Sequence, residues 1–240
     1  MRERAERERL IIEEADALIA EHGYHGLNLD ELAGKIDYSK ATIYTHFESK
    51  EDLMAAVDLL HLKLRAELFS RALTFRGLTR ERMFVVGWAD KIISTRYPHW
   101  SSLHQLMETR SFQEKITPER LQSCQKLGMR CIEVAYEIIR QARLAGELPV
   151  DGPSEPQILS GLISLSKGAH LLSETFCHSH QDTGIRPLEM LNLNYHIFLD
   201  GAGWRPLSSD FDYLETEKRI TLDVFPDEIK ALNLQTTHQK

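Results

Sequence analysis

Leu29-Asp30-Glu31-Leu32-Ala33-Gly34-Lys35-Ile36-Asp37-Tyr38-Ser39-Lys40-Ala41-Thr42-Ile43-Tyr44-Thr45-His46-Phe47 reads as helix, tight turn, helix. Leu29, Leu32, Ala33 and Ile36 follow the i, i+3, i+4, i+7 spacing of one buried helical stripe. Asn28 stands ahead of them as N-cap, and Glu31 at the third helical position completes a capping-box arrangement. The turn falls at Asp37-Tyr38, where Asp accepts positive φ better than most residues. Ser39 then caps a second, short helix whose Ile43 and Phe47 lie one turn apart and face a core. Lys40, Ala41, Thr42, Tyr44, Thr45 and His46 remain on the outer side.

Working outward, a helix is expected from about Glu3 to His22, with Ile11, Ala15 and Leu18 on one face and Gly23 as its stop. Ser49 caps a long fourth helix carrying Leu53, Val57, Leu60, Leu64 and Leu68. Further helices are expected at about 79–96, 99–109, 118–145, 155–178 and 187–200, separated by Gly and Pro breaks. The tail offers one more from about Asp210 to Arg219 and a weaker one after Pro226. No convincing period-2 strand appears. The expected fold is all-α: a helix-turn-helix domain at 1–50, a helical ligand-binding and dimerisation domain at 51–204, and an extension at 205–240.

Composition bounds the function. In 240 residues, 42% are hydrophobic and 27% charged, which suits a globular chain with a full core. No apolar run approaches the length of a membrane span, and no signal-type apolar stretch follows the Arg2–Arg9 alternation of Arg and Glu. Three cysteines without zinc-type spacing suit a reducing cytoplasm. The net charge is −7, and residues 1–60 carry it, with 7 basic against 14 acidic side chains. A nucleic-acid role therefore requires the positive groups to gather on one face.

The second short helix meets the demands of a major-groove reader, with small residues at its N-terminus and side chains that reach base edges and phosphates. Here the sequence resembles the tetracycline-repressor (TetR/AcrR) family. The resemblance runs from residue 5 to about 60, through Glu21-His22-Gly23-Tyr24, the Leu32-Ala33 helix, Ser39-Lys40-Ala41-Thr42-Ile43-Tyr44, His46-Phe47 and Ser49-Lys50-Glu51-Asp52-Leu53. The chain departs from the family's Gly-Val turn at Asp37-Tyr38, and Ala41 replaces a common Gly. The resemblance implies that Lys40, Ala41, Thr45 and His46 face bases. It implies that Asn28, Ser39, Thr42, Tyr44 and Lys50 face phosphates, aided by the positive N-termini of the second and fourth helices. Arg2, Arg4, Arg7 and Arg9 would add a flexible basic arm.

The family also implies a homodimer built from the last two long helices. Gly161, Ser164 and Gly168 form a stripe of small residues, and Leu191, Tyr195 and Phe198 form an apolar stripe on the next helix. Trp88, Ile92, Trp100, His104, Met107 and Tyr136 are the expected surroundings of an apolar or aromatic effector. The histidines at 170, 178 and 180 with Cys177 are too spread along one helix to share an ion, and Asp58-x-x-His61 lacks the second copy of a di-metal bundle. No phosphate loop, dinucleotide fingerprint or complete nucleophile elbow is present, so neither cofactor nor catalysis is expected. The reading is a cytoplasmic, ligand-responsive repressor on a palindromic operator of double-stranded DNA. Its alternatives are an activator or partner-controlled regulator using the tail, and a helical carrier or enzyme without a DNA role.

Overall fold

The computed structural model describes residues 2–177 and 184–238. The described residues form helices and no strand. In order they are α1 (Arg2–Gly26), α2 (Leu29–Lys35), α3 (Lys40–Tyr44), α4 (Lys50–Ser70), α5 (Thr79–Arg96), α6 (Pro98–Met107), α7 (Arg110–Gln113), α8 (Pro118–Leu144), α9 (Glu155–Cys177), α10 (Pro187–Gly201), α11 (Tyr213–Arg219) and α12 (Pro226–His238). Gly23 interrupts α1 at φ 71°, where the sequence places its stop. The four-residue α7 was not foreseen, being too short to show a period. No helix among the described residues is long and apolar enough to cross a membrane.

The chain divides into two compact units, residues 1–66 with 96–130 and residues 67–95 with 131–240. These limits differ from the expected cuts at 50 and 204 and fall within unbroken helices. In the first unit Ile11, Ala15, Leu18 and Ile19 of α1 are fully buried, with Leu32, Ile43, Phe47, Leu53 and Val57 in the same core. Each such Leu, Ile, Val or Phe side chain contributes about 1.5–3 kcal/mol by leaving water. A buried polar bolt holds the start of α4. Asp52 Oδ1 accepts from the Thr117 N–H (3.1 Å), the Thr117 hydroxyl (2.8 Å) and Arg120 Nε (3.0 Å). The Arg120 guanidinium lies over the Phe47 ring at 5.1 Å, so α8 reaches the core behind α3.

In the second unit the segment after Trp204 is fastened rather than loose. Fully buried Arg80 of α5 donates to Asp200 (2.7 Å), the Trp204 carbonyl (2.6 Å) and the Pro206 carbonyl (3.0 Å). Glu81 accepts from Thr216 (2.8 Å) and Arg219 (3.1 Å), while Arg71 donates to the Val224 carbonyl (3.0 Å) and pairs with Glu228 (2.8 Å). A buried cation needs such partners, since leaving it unpaired costs several kcal/mol. The expected extension at 205–240 is thus, through at least Glu228, part of the second unit's packing.

Candidate nucleic-acid interface

The caps that begin α2 and α3 fix the geometry of the hairpin. Asn28 Oδ1 accepts from the Asp30 N–H (2.8 Å) and the Glu31 N–H (3.4 Å), satisfying two donors that a helix start leaves orphaned. At the turn, Asp37 takes φ 55°, and the Tyr38 N–H returns to the Ala33 carbonyl at 3.0 Å. Ser39 Oγ accepts from the Thr42 N–H at 3.1 Å and shares a hydrogen bond with the Thr42 hydroxyl at 2.9 Å. With five residues, α3 has too few internal hydrogen bonds to stand alone, and burial of Ile43 and Phe47 holds it in place. Its opposite side carries Lys40, Ala41, Tyr44 and Thr45, all exposed. The Thr45 hydroxyl is turned back onto the Thr42 carbonyl at 2.7 Å.

The acidic excess is largely paired. Glu13 accepts from Arg9 (2.6 Å), Glu14 and Glu21 flank Lys35 (3.5 and 3.7 Å), and Glu51 meets Lys115 (2.7 Å). Asp52 is satisfied by Thr117 and Arg120. Lys40 Nζ donates to Asp30 at 2.9 Å, and this bond raises the lysine pKa, so an exposed cation on the reading helix already has an anion. Lys50 Nζ reaches the His25 carbonyl at 3.5 Å. Arg4 donates to the Thr45 carbonyl at 3.2 Å, which sets a guanidinium beside the end of α3, and Arg7 lies over the Tyr38 ring at 5.2 Å. The arm expected to be flexible is instead the first turns of α1 laid against α3 and the turn.

Residues 11–57, spanning these elements, match the family model described as bacterial regulatory proteins of the tetR family. That match spans 47 of the chain's 240 residues. A 43-residue stretch is 42% identical to the biofilm operon icaADBC HTH-type negative transcriptional regulator IcaR of Staphylococcus aureus, covering 18% of this chain and 23% of IcaR. The chain therefore matches less than a quarter of that relative's length. FadR of Bacillus subtilis, solved with stearoyl-CoA, superposes at a TM-score of 0.64 with 15% identity over 80% of this chain and 98% of its own. A Saccharomonospora viridis protein solved with choline gives 0.66 with 19% identity over 82% and 96%. PfmR of Thermus thermophilus, a TetR family transcriptional regulator, gives 0.60 with 22% identity over 80% and 97%. These likenesses are of fold.

Within the matched segment one residue expected to face bases does not. The His46 side chain is 1% exposed, and its Nδ1 lies 3.7 Å from Glu8 with no hydrogen-bond partner. His46 follows the last turn of α3, where the chain has begun to fold toward α4 beside Phe47, so its ring turns inward. Alternation read along α3 could not register that change of direction. The Lys40–Asp30 pair was missed for a related reason: it spans the turn and follows no helical period.

The expected effector residues divide between the units. Trp100, His104 and Met107 belong to the first, and Trp88, Ile92 and Tyr136 to the second. Trp100 Nε1 and His104 Nδ1 both donate to Asp58 Oδ1, at 2.8 and 2.9 Å, so these two form an internal polar knot. Ile92 is buried, Trp88 carries Lys91 over its ring at 4.6 Å, and Tyr136 is exposed. The expected dimer stripes make contacts within the chain as well. Phe198 sits on Gly161 of its own chain, where a Cβ would strike the ring, and Tyr195 lies within 3.5 Å of a Cβ built on Gly87. Leu191 is buried. Leu191 is thus turned into the chain and Tyr195 and Phe198 are half-buried against it, while the exposed apolar residues of α10 are Met190, Leu193 and Ile197. Ser164 is exposed, and a Cβ built on Gly168 would meet nothing within 4 Å. His170 donates to Asp90 at 3.3 Å, while His178 and His180 lie outside the described residues.

Proposed function

We propose that this chain is a cytoplasmic transcriptional repressor that binds a palindromic operator as a homodimer and is released by a small molecule. The observation that carries the DNA reading is α3. It is a short, capped helix with Ile43 and Phe47 anchored inside and Lys40, Ala41, Tyr44 and Thr45 presented outside, within the segment that matches the tetR family. Lys40, Ala41 and Thr45 take the base edges. Asn28, Ser39, Thr42, Tyr44 and Lys50 take phosphates, with Arg4 added to them and His46 removed.

Repression is supported by IcaR, a negative regulator by name. Dimerisation is supported by the exposed Met190, Leu193 and Ile197 of α10, an i, i+3, i+7 stripe, with Leu171 and Leu172 exposed on α9. Release by a small molecule is supported by two structures of this fold that hold one, stearoyl-CoA with its long acyl chain and choline with its quaternary ammonium. The apolar and aromatic residues Ile92, Trp88 and Tyr136 favour an apolar or aromatic effector here. Such a ligand acts only through different affinity for the DNA-competent and released states.

Selection of bound duplexes from a random pool, followed by affinity of the winner across a salt series, tests the proposal. The expected result is a consensus of two inverted half-sites with affinity falling steeply as salt rises. Absence of any enriched sequence at low salt would remove the DNA role.

A further inference from the structure

Three helices of the first unit bring one carboxylate and two imidazoles to a point. Asp16 of α1 accepts at a single oxygen, Oδ1, from His61 Nε2 of α4 and from His99 Nε2 of α6, each at 2.8 Å. One oxygen and two ring nitrogens thus lie within 4.8 Å of one another. The His61 side chain is 3% exposed, with the Tyr97 ring at 4.4 Å and the Trp100 ring at 5.8 Å, so its orientation is fixed by packing. Asp16 and His99 are 17% and 13% exposed, which leaves the cluster one side open to water. Asp58, one turn before His61, is taken by Trp100 and His104 and does not join it.

We propose that Asp16, His61 and His99 form a binding site for a divalent first-row transition cation of the zinc class. Two neutral imidazoles and one carboxylate are the borderline donor set that such cations prefer, whereas calcium and magnesium call for oxygens. Bonds of about 2.0–2.2 Å around a tetrahedral ion place neighbouring ligand atoms about 3.3 Å apart. The present 2.8 Å contacts need open only by about half an ångström, within the range of small χ adjustments. Binding exchanges two N–H···O bonds for coordinate bonds and moves each neutral ring's proton to Nδ1. Water fills the remaining positions from the open side. The site's net charge changes from −1 to +1, and the ion ties α1, the first helix of the hairpin domain, directly to α4 and α6. No sequence period could show the cluster, since 45 residues separate Asp16 from His61 and 38 separate His61 from His99.

The test is titration of the full-length, chelator-treated chain with Co²⁺ alone, followed by visible absorption, with Zn²⁺ then added in competition. One equivalent of Co²⁺ per chain should develop a ligand-field band that Zn²⁺ abolishes. Zn²⁺ at about a hundredfold over its dissociation constant should raise the thermal midpoint by about 5 °C. His99→Gln, at the partly open position, should keep the helical circular dichroism of the parent yet bind at least about a hundredfold more weakly, and Asp16→Asn should behave alike. The proposal is overturned by absence of a stoichiometric band, or by unchanged binding in both variants, which would place the ion elsewhere. None of these readouts depends on DNA binding.

Discussion

The α2–α3 hairpin and the α9–α10 pair are both helix pairs with apolar stripes, yet only the first could be oriented from its stripes. In α3, two large apolar residues define one buried side, and the remaining positions have nowhere to go but out. In α10, Leu191 and Leu199 are buried while Leu193 and Ile197 are 61% and 62% exposed. A helix apolar on two sides offers periodicity the choice of two stripes, and nothing local says which one stays within the chain. Gly161 carries the same ambiguity: a small residue permits close approach, whether by a partner or, as here, by Phe198 of the same chain.

The largest effect should come from charging the outward side. Leu193→Asp with Ile197→Asp should weaken self-association at least about a hundredfold, and light scattering should show mass falling to that of one 27.6 kDa chain. If the dimer instead survives this change but is lost in Phe198→Ala, the two faces of α10 have been exchanged. Next in size, Gly161→Ala should destabilise the fold by about 1–3 kcal/mol through overpacking against Phe198, read from the urea midpoint. Adding Phe198→Ala should make the glycine substitution nearly neutral, and simple additivity would separate the two residues.

On the hairpin side the effects are smaller. Asp30→Asn frees Lys40 and removes a negative charge from the α2 start, so operator affinity should rise about three- to tenfold at low salt, shrinking as salt screens it. An unchanged affinity would mean that the Asp30 pair takes nothing from the part Lys40 plays in DNA binding. The smallest effect concerns Cys124, which is buried against the Ala55 carbonyl of α4 (3.7 Å). Burial, with Asp58 adding to it, pushes this thiol up to about 12 from an ordinary 9.0. The unfolded chain then releases its proton first as pH rises, so stability is full below 9 and declines above it. Cys124→Ala should flatten that alkaline decline, and an identical slope in both proteins would show the thiol ionising as it does in the unfolded chain.

Legibility in the sequence followed how local the cause was. The Asn28 and Ser39 caps, the positive φ of Asp37 and the Gly23 interruption each depend on a few consecutive residues, and all were readable. The bolt from Asp52 to Thr117 and Arg120, the anchoring of Arg80 by the tail, and the Asp16–His61–His99 cluster join residues tens of positions apart. Such links depend on packing that no period encodes. His46 lies between these cases, since a local change of chain direction turned a residue of the right chemistry inward.

The most direct test of α3 as the reading helix is to repeat the duplex selection with Lys40→Ala beside the parent chain. The parent should yield inverted half-sites, and the variant should keep that pattern while one position in each half-site loses its preference. An identical consensus at equal stringency from both proteins would contradict base reading by Lys40, and with it the assignment of the exposed side of α3 as the DNA-reading surface.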